Sequence, residues 1–133
     1  FEVLGSFDEL NSFIGWANRT APKPYKKVLS EIQKTLYGIM AEIGCSKKIV
    51  NFKNDILFLE KNIDELEKNL GVLKKFVIPG KNEASARMHI VRVVCRRTER
   101  MIVRNIEKLK IPEDLLSYIN RLSDLLFLIA EKF

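Results

Sequence analysis

Six arginines fall within residues 84–109, "ASARMHIVRVVCRRTERMIVRNIEKL": Arg87, Arg92, Arg96, Arg97, Arg100 and Arg104. A guanidinium offers planar two-point contact to a carboxylate or a phosphate. Arg92, Arg96 and Arg100 are spaced i, i+4 and i+8, so a helix would line them along one side. Like charges at that spacing repel by roughly 0.2–0.5 kcal/mol a pair. Solvent, acids from other elements or a bound anion must offset this. Glu99 stands three residues after Arg96 and seven after Arg92, so one carboxylate can orient both. Two readings stay open: a solvated basic face with internal pairs, and an anion site.

The C-terminal "LLSYINRLSDLLFLIAEKF" carries a second set. Leu115, Tyr118, Ile119, Leu122, Leu125, Leu126 and Ile129 make a core face, and Asn120, Asp124 and Phe127 make a second stripe at i, i+4 and i+7. An aromatic beside an amide and an acid suits a subunit interface, or a pocket whose apolar wall meets polar anchors. Asp8, Asn11, Ser12 and Gly15 form a polar face near the N-terminus. His89, the one histidine, is expected to pack or hydrogen-bond. No Ser-His-Asp or Cys-His arrangement can be drawn from the sequence.

The elements that must hold these residues read as five amphipathic helices. Leu4, Phe7, Leu10, Ile14 and Ala17 set a helical period over 3–18, and "RTAPKP" ends it. Leu29, Ile32, Leu36, Ile39 and Ile43 do the same over 25–45. A third helix is expected over 54–70, capped by Asn54 and stopped by Gly71. "VLKKFVIPGKN" could be extended before a turn at Pro79-Gly80. The arginine helix then runs from Glu83 to about Leu109, with Met88, Ile90, Val91, Val94, Cys95, Thr98, Met101 and Ile102 towards the core. Pro112 opens the last helix. One helical bundle over 1–133 is the economical architecture, with a chain of this length holding one core.

The net charge of +6 favours an anionic partner: nucleic acid, a phosphate ligand or a membrane surface. Cys45 and Cys95 have no CxxC pairing and no neighbouring histidine, which argues against a zinc site and leaves both expected reduced and buried. With no signal-peptide pattern and no apolar run long enough to span a bilayer, the chain reads as cytoplasmic. It begins at Phe1, so a preceding N-terminal piece is expected.

Four blocks carry a resemblance: "FDELNSFIGWA" at 7–17, "FVIPG" at 76–80, "RVVCRRTER" at 92–100 and "YINRLSDLLFLIA" at 118–130. In order and spacing they resemble the PduO-type ATP:cob(I)alamin adenosyltransferases, over nearly the whole chain. The resemblance implies an all-α, five-helix, ferritin-like up-and-down bundle that assembles as a homotrimer with active sites between subunits. It implies transfer of the 5′-deoxyadenosyl group of ATP to cob(I)alamin, giving adenosylcobalamin and triphosphate. Most of the hard chemistry would belong to cobalt(I), and the protein would bind and orient.

By position, Arg96 resembles the arginine on the ATP polyphosphate, and Glu99 the glutamate that organises nucleotide and Mg²⁺; both are expected to be catalytic. Asn120 and Arg100 join them at ATP; Phe76, Phe127 and Asp124 are expected on the corrinoid side. Asp8 and Arg92 match a pair bridging subunits, and Arg97 is expected to be structural or intersubunit. The resemblance places a Thr- and Gly-rich phosphate loop of the T-G-D-x-G kind ahead of the first helix; the chain starts after it. A reductase and an adenosylcobalamin-dependent enzyme are implied partners, nucleic acid and membrane are not. The alternatives are a basic bundle that binds nucleic acid and a catalytically silent assembly protein of the same fold.

Overall fold

Wherever apolar residues recur every three to four positions, the chain is helical. The computed structural model describes residues 2–45, 47–70 and 78–133. These form α1 (Glu2–Asn18), α2 (Lys23–Cys45), α3 (Phe52–Leu70), α4 (Glu83–Asn105) and α5 (Glu113–Lys132), with no strand among the described residues. No described helix is long and apolar enough to cross a membrane.

Helix α4 lies between α1 and α5; α2 packs on α1, and α3 on the other flank of α5. Cross-links set the direction of three pairs. In α1 and α2, Asn11 Nδ2 donates to Gln33 O and Asn18 Nδ2 to Ser30 Oγ. In α1 and α4, Arg87 Nη1 donates to Trp16 O at 2.8 Å, and Thr98 Oγ1 to Ser6 O at 3.4 Å. In α4 and α5, Ser85 Oγ donates to Ala130 O, and Asn120 Nδ2 to Glu99 Oε2. Residue numbers rise on one helix as they fall on the other, so each pair is antiparallel. Gly15 allows the close approach of α1 to α2: a Cβ there would meet Gln33 Nε2 at 3.0 Å.

The core is one apolar cluster drawn from all five helices, centred on Phe7, Leu10, Leu29, Leu36, Leu59, Val91, Ile102, Tyr118, Leu122 and Leu126. Every residue expected on the core face of α5 is buried there.

Several boundaries and faces differ from the sequence reading. Helix α3 starts at Phe52, not Asn54, because Asn51 Oδ1 accepts the Asn54 N–H and caps the turn. Helix α4 ends at Asn105, not Leu109. Beyond it the chain closes a tight turn in which Ile111 N donates to Ile106 O, with Lys110 at φ 51°. Ile90 is 43% exposed rather than core, about 120° round the helix from buried Ile102. In α1, Val3 is buried and Leu4 only partly, and Ile43 and Met101 are likewise half-buried. Cys45 is exposed at the end of α2, while Cys95 is buried. The expected extended segment falls mainly on residues 71–77, outside the described residues.

Candidate active site

The seam where α4 crosses α5 carries most of the candidate residues, arranged as antiparallel rungs: Glu99 opposite Asn120, Arg92 opposite Phe127, His89 opposite Glu131. Seven residues separate Asn120 from Phe127 along α5, about 10 Å at 1.5 Å per residue. One end of the seam is polar and the other aromatic.

Glu99 is the hub of the polar end. Its side chain is 17% exposed, and Oε2 accepts from Asn120 Nδ2 at 3.1 Å. Oε1 lies 3.7 Å from Arg96 Nη1, is buried, and has no hydrogen-bond partner among the described residues. A buried carboxylate oxygen without a donor costs free energy, so it marks a place where a ligand group or ion would be favourable. Asn120 Oδ1 accepts from Arg121 Nη2 at 3.2 Å, and Arg121 pairs with Asp124. Arg96, Glu99, Asn120, Arg121 and Asp124 are therefore one continuous network. Beside it lies an open groove of about 610 Å³ lined by residues including Glu60, Glu99, Asp114, Asn120 and Arg121. Among the described residues no three acids, histidines or cysteines come close enough to cage a metal.

At the aromatic end, the Arg92 guanidinium stands 5.9 Å from the centre of the Phe127 ring. His89 meets the same ring edge-on, 6.4 Å between centroids at 75°. Arg92 Nε donates to His89 Nδ1 at 3.3 Å, and His89 Nε2 faces Glu131 Oε2 at the same distance. Burial, then the Arg92 charge, push the His89 pKa below the ordinary 6.5; Glu131 opposes them. Cys95 packs under the seam, and burial pushes its thiol far up, so it is no nucleophile at neutral pH.

The structure thus brings together Arg92, Arg96, Glu99, Asn120, Asp124 and Phe127. It leaves others apart. Arg97 turns to the opposite side of α4 and pairs with Glu9 on α1, a link within the chain. Arg100 is exposed and forms no ion pair among the described residues. Asp8 is exposed on α1, lining a shallow groove with Asn11, Tyr37 and Met40, and makes no pair with Arg92 within the chain. Phe76 lies outside the described residues. Glu131 and Arg121 escaped the sequence reading. Their signals were the one acid in the last turn of an apolar helix, four after Phe127, and the i, i+3 spacing of Arg121 and Asp124.

Comparison with known proteins bears on this arrangement. The family model described as cobalamin adenosyltransferase matches residues 1–133. A corrinoid adenosyltransferase of Citrobacter freundii is 39% identical over 97% of this chain and 77% of its own length. One from Bacillus subtilis is 35% identical, over 97% of this chain and 71% of its own. Among solved structures, a variant PduO-type ATP:corrinoid adenosyltransferase from Lactobacillus reuteri, complexed with cobalamin and ATP, superposes with a TM-score of 0.88. It is 28% identical over 96% of this chain and 76% of that chain.

Proposed function

Because the chain belongs to the cobalamin adenosyltransferase family, we propose that its α4–α5 seam is where the 5′-deoxyadenosyl group of ATP passes to cob(I)alamin. In that reaction cobalt(I) supplies both electrons of the new Co–C bond at the 5′ carbon. The C–O bond to the phosphate breaks, and triphosphate leaves with its electron pair. ATP and the corrinoid are both substrates.

The observation that carries the assignment is Glu99 Oε1, buried without a donor between Arg96 and Asn120. Arg96, over half exposed and anchored at 3.7 Å to Glu99, is free to turn its remaining N–H groups towards a polyphosphate. Charge that builds on the leaving triphosphate is then met by a guanidinium already in place. Asn120, held at both ends of its amide by Glu99 and Arg121, presents a fixed edge to the nucleotide. Arg100, exposed one residue beyond Glu99, is a second cation for the phosphates. Mg²⁺ bound with ATP neutralises phosphate charge. It commonly takes only one or two protein carboxylates besides phosphate and water, so the lone Glu99 Oε1 fits it. Phe127 forms the corrinoid wall, and Asp124 lies between the two ends on the same stripe.

The sites lie between subunits of a homotrimer in this reading. Exposed Ile90 and Val93, at 43% and 44%, and Asp8, which forms no ion pair among the described residues, support a second copy against α1 and α4, where Asp8 would meet Arg92. An anaerobic assay with MgATP and chemically reduced cobalamin tests the function. Enzyme- and ATP-dependent conversion to the light-sensitive adenosylcobalamin spectrum is expected. Absence of conversion would overturn the assignment.

A further inference from the structure

His89 is 3% exposed, yet both of its ring nitrogens face polar atoms. Arg92 Nε can only donate, so Nδ1 must accept, and the ring proton is fixed on Nε2, facing Glu131. Glu131 Oε2 is itself buried, has no hydrogen-bond partner among the described residues, and stands 3.3 Å from His89 Nε2. The ring stands edge-on to Phe127, and the guanidinium it steers lies over Phe127. We propose that His89 is a positioning residue for the corrinoid side of the site: it bridges Arg92 to Glu131 and so holds the Arg92 guanidinium over the Phe127 ring. This rests on the reading of Phe127 as the corrinoid wall.

The bridge works only with a neutral imidazole. Protonation would place an N–H at Nδ1 against the Arg92 N–H, and the guanidinium would be expelled. Among the described residues the charged groups facing the ring are Arg92 on its own helix, Glu131 on α5 and Lys81 ahead of α4. Arg92 and Lys81 oppose protonation, Glu131 favours it, and burial decides for the neutral form. The bridge is therefore closed at neutral pH and opens only below the ordinary histidine range. Helix ends keep the partners in register: Lys81 Nζ donates to Glu131 O, and Ser85 Oγ to Ala130 O.

The test follows corrinoid and ATP separately, on the full chain, across about pH 8 to pH 5.5, bracketing the histidine range. Steady-state KM values are measured for cob(I)alamin and for MgATP. Equilibrium binding of cob(II)alamin in the presence of MgATP, read from the visible spectrum, needs no turnover. In the wild type, corrinoid KM and Kd should rise about fivefold towards low pH, the scale of one lost cation–π contact, while ATP KM stays within about twofold. His89→Phe should show the raised corrinoid values at every pH, with no further pH dependence. His89→Asn, which keeps an acceptor near Nδ1 but cannot protonate, should bind corrinoid more tightly than His89→Phe and show no dependence. A corrinoid pH profile in both variants that matches the wild type would overturn the proposal, as would equal shifts in corrinoid and ATP KM. If His89→Phe does not fold, the same comparison with His89→Asn decides. A wild type that neither binds nor adenosylates corrinoid at any pH overturns the functional reading itself, a result distinct from loss of pH dependence alone.

Discussion

Glu99 keeps one oxygen on Asn120 and leaves the other buried without a hydrogen-bond partner among the described residues, and the proposed ligand site rests on that asymmetry. His89 shows a comparable economy, with one ring serving Arg92 and Glu131 at once. Its lowered pKa has a consequence for stability. The unfolded chain takes up a proton near the ordinary 6.5, the folded chain only at lower pH. Between those values the unfolded state binds more protons, so the folded state loses stability as pH falls from about 6.5 through the folded value. Urea midpoints at neutral and at mildly acid pH should therefore fall further for the wild type than for His89→Phe. Equal losses would show that His89 takes up its proton as readily in the folded chain as in the unfolded one.

Helix ends govern where the seam's two halves meet. Asn82 caps α4 by accepting the Ser85 N–H at 2.8 Å, and its Nδ2 donates to Phe133 O, also at 2.8 Å, closing the far end of α5. Asn82→Ala removes both and should cost about 1–2 kcal/mol. That corresponds to a fall in Tm of about 3–6 °C for a domain of this size; an unchanged Tm would show that the cap is dispensable. The five helices were legible because leucine and isoleucine recur with one period along each, and α5 displayed both its faces. Their ends were less legible. Asn51 and Asn54 are equally good caps in sequence, and only the backbone path chooses between them. The turn after α4 puts Lys110 in a left-handed conformation that sequence would assign to glycine. Within the candidate site, type, spacing and resemblance singled out Arg96, Glu99 and Asn120, which the structure places along one seam. Glu131 was not, because its meaning depends on how α4 and α5 align across the seam.

Over the whole molecule, the basic charge is less available than the count of +6 suggests. Four of the six α4 arginines already have partners: Arg87 with Trp16 and Glu83, Arg92 with His89, Arg96 with Glu99, and Arg97 with Glu9. With only the outer N–H groups of Arg96 and the exposed Arg100 and Arg104 left to reach out, the stripe is a poor track for a long nucleic-acid backbone. Duplex DNA should bind weakly near physiological salt; tight binding with a steep salt dependence would favour the nucleic-acid alternative. By contrast MgATP, a compact ligand for the folded state alone, should raise Tm in proportion to the logarithm of its concentration above Kd. No such rise would count against a nucleotide site. The most direct test of the central claim is single-turnover adenosylation by Arg96→Ala, started from pre-reduced cobalt(I) and saturating MgATP beside the wild type. Loss of roughly 100-fold or more in rate is the scale expected when a preorganised donor to developing charge is removed, and the variant's melting curve should remain close to wild type. Adenosylcobalamin formed by Arg96→Ala at the wild-type rate would contradict the assignment of the α4–α5 seam as the place where triphosphate leaves.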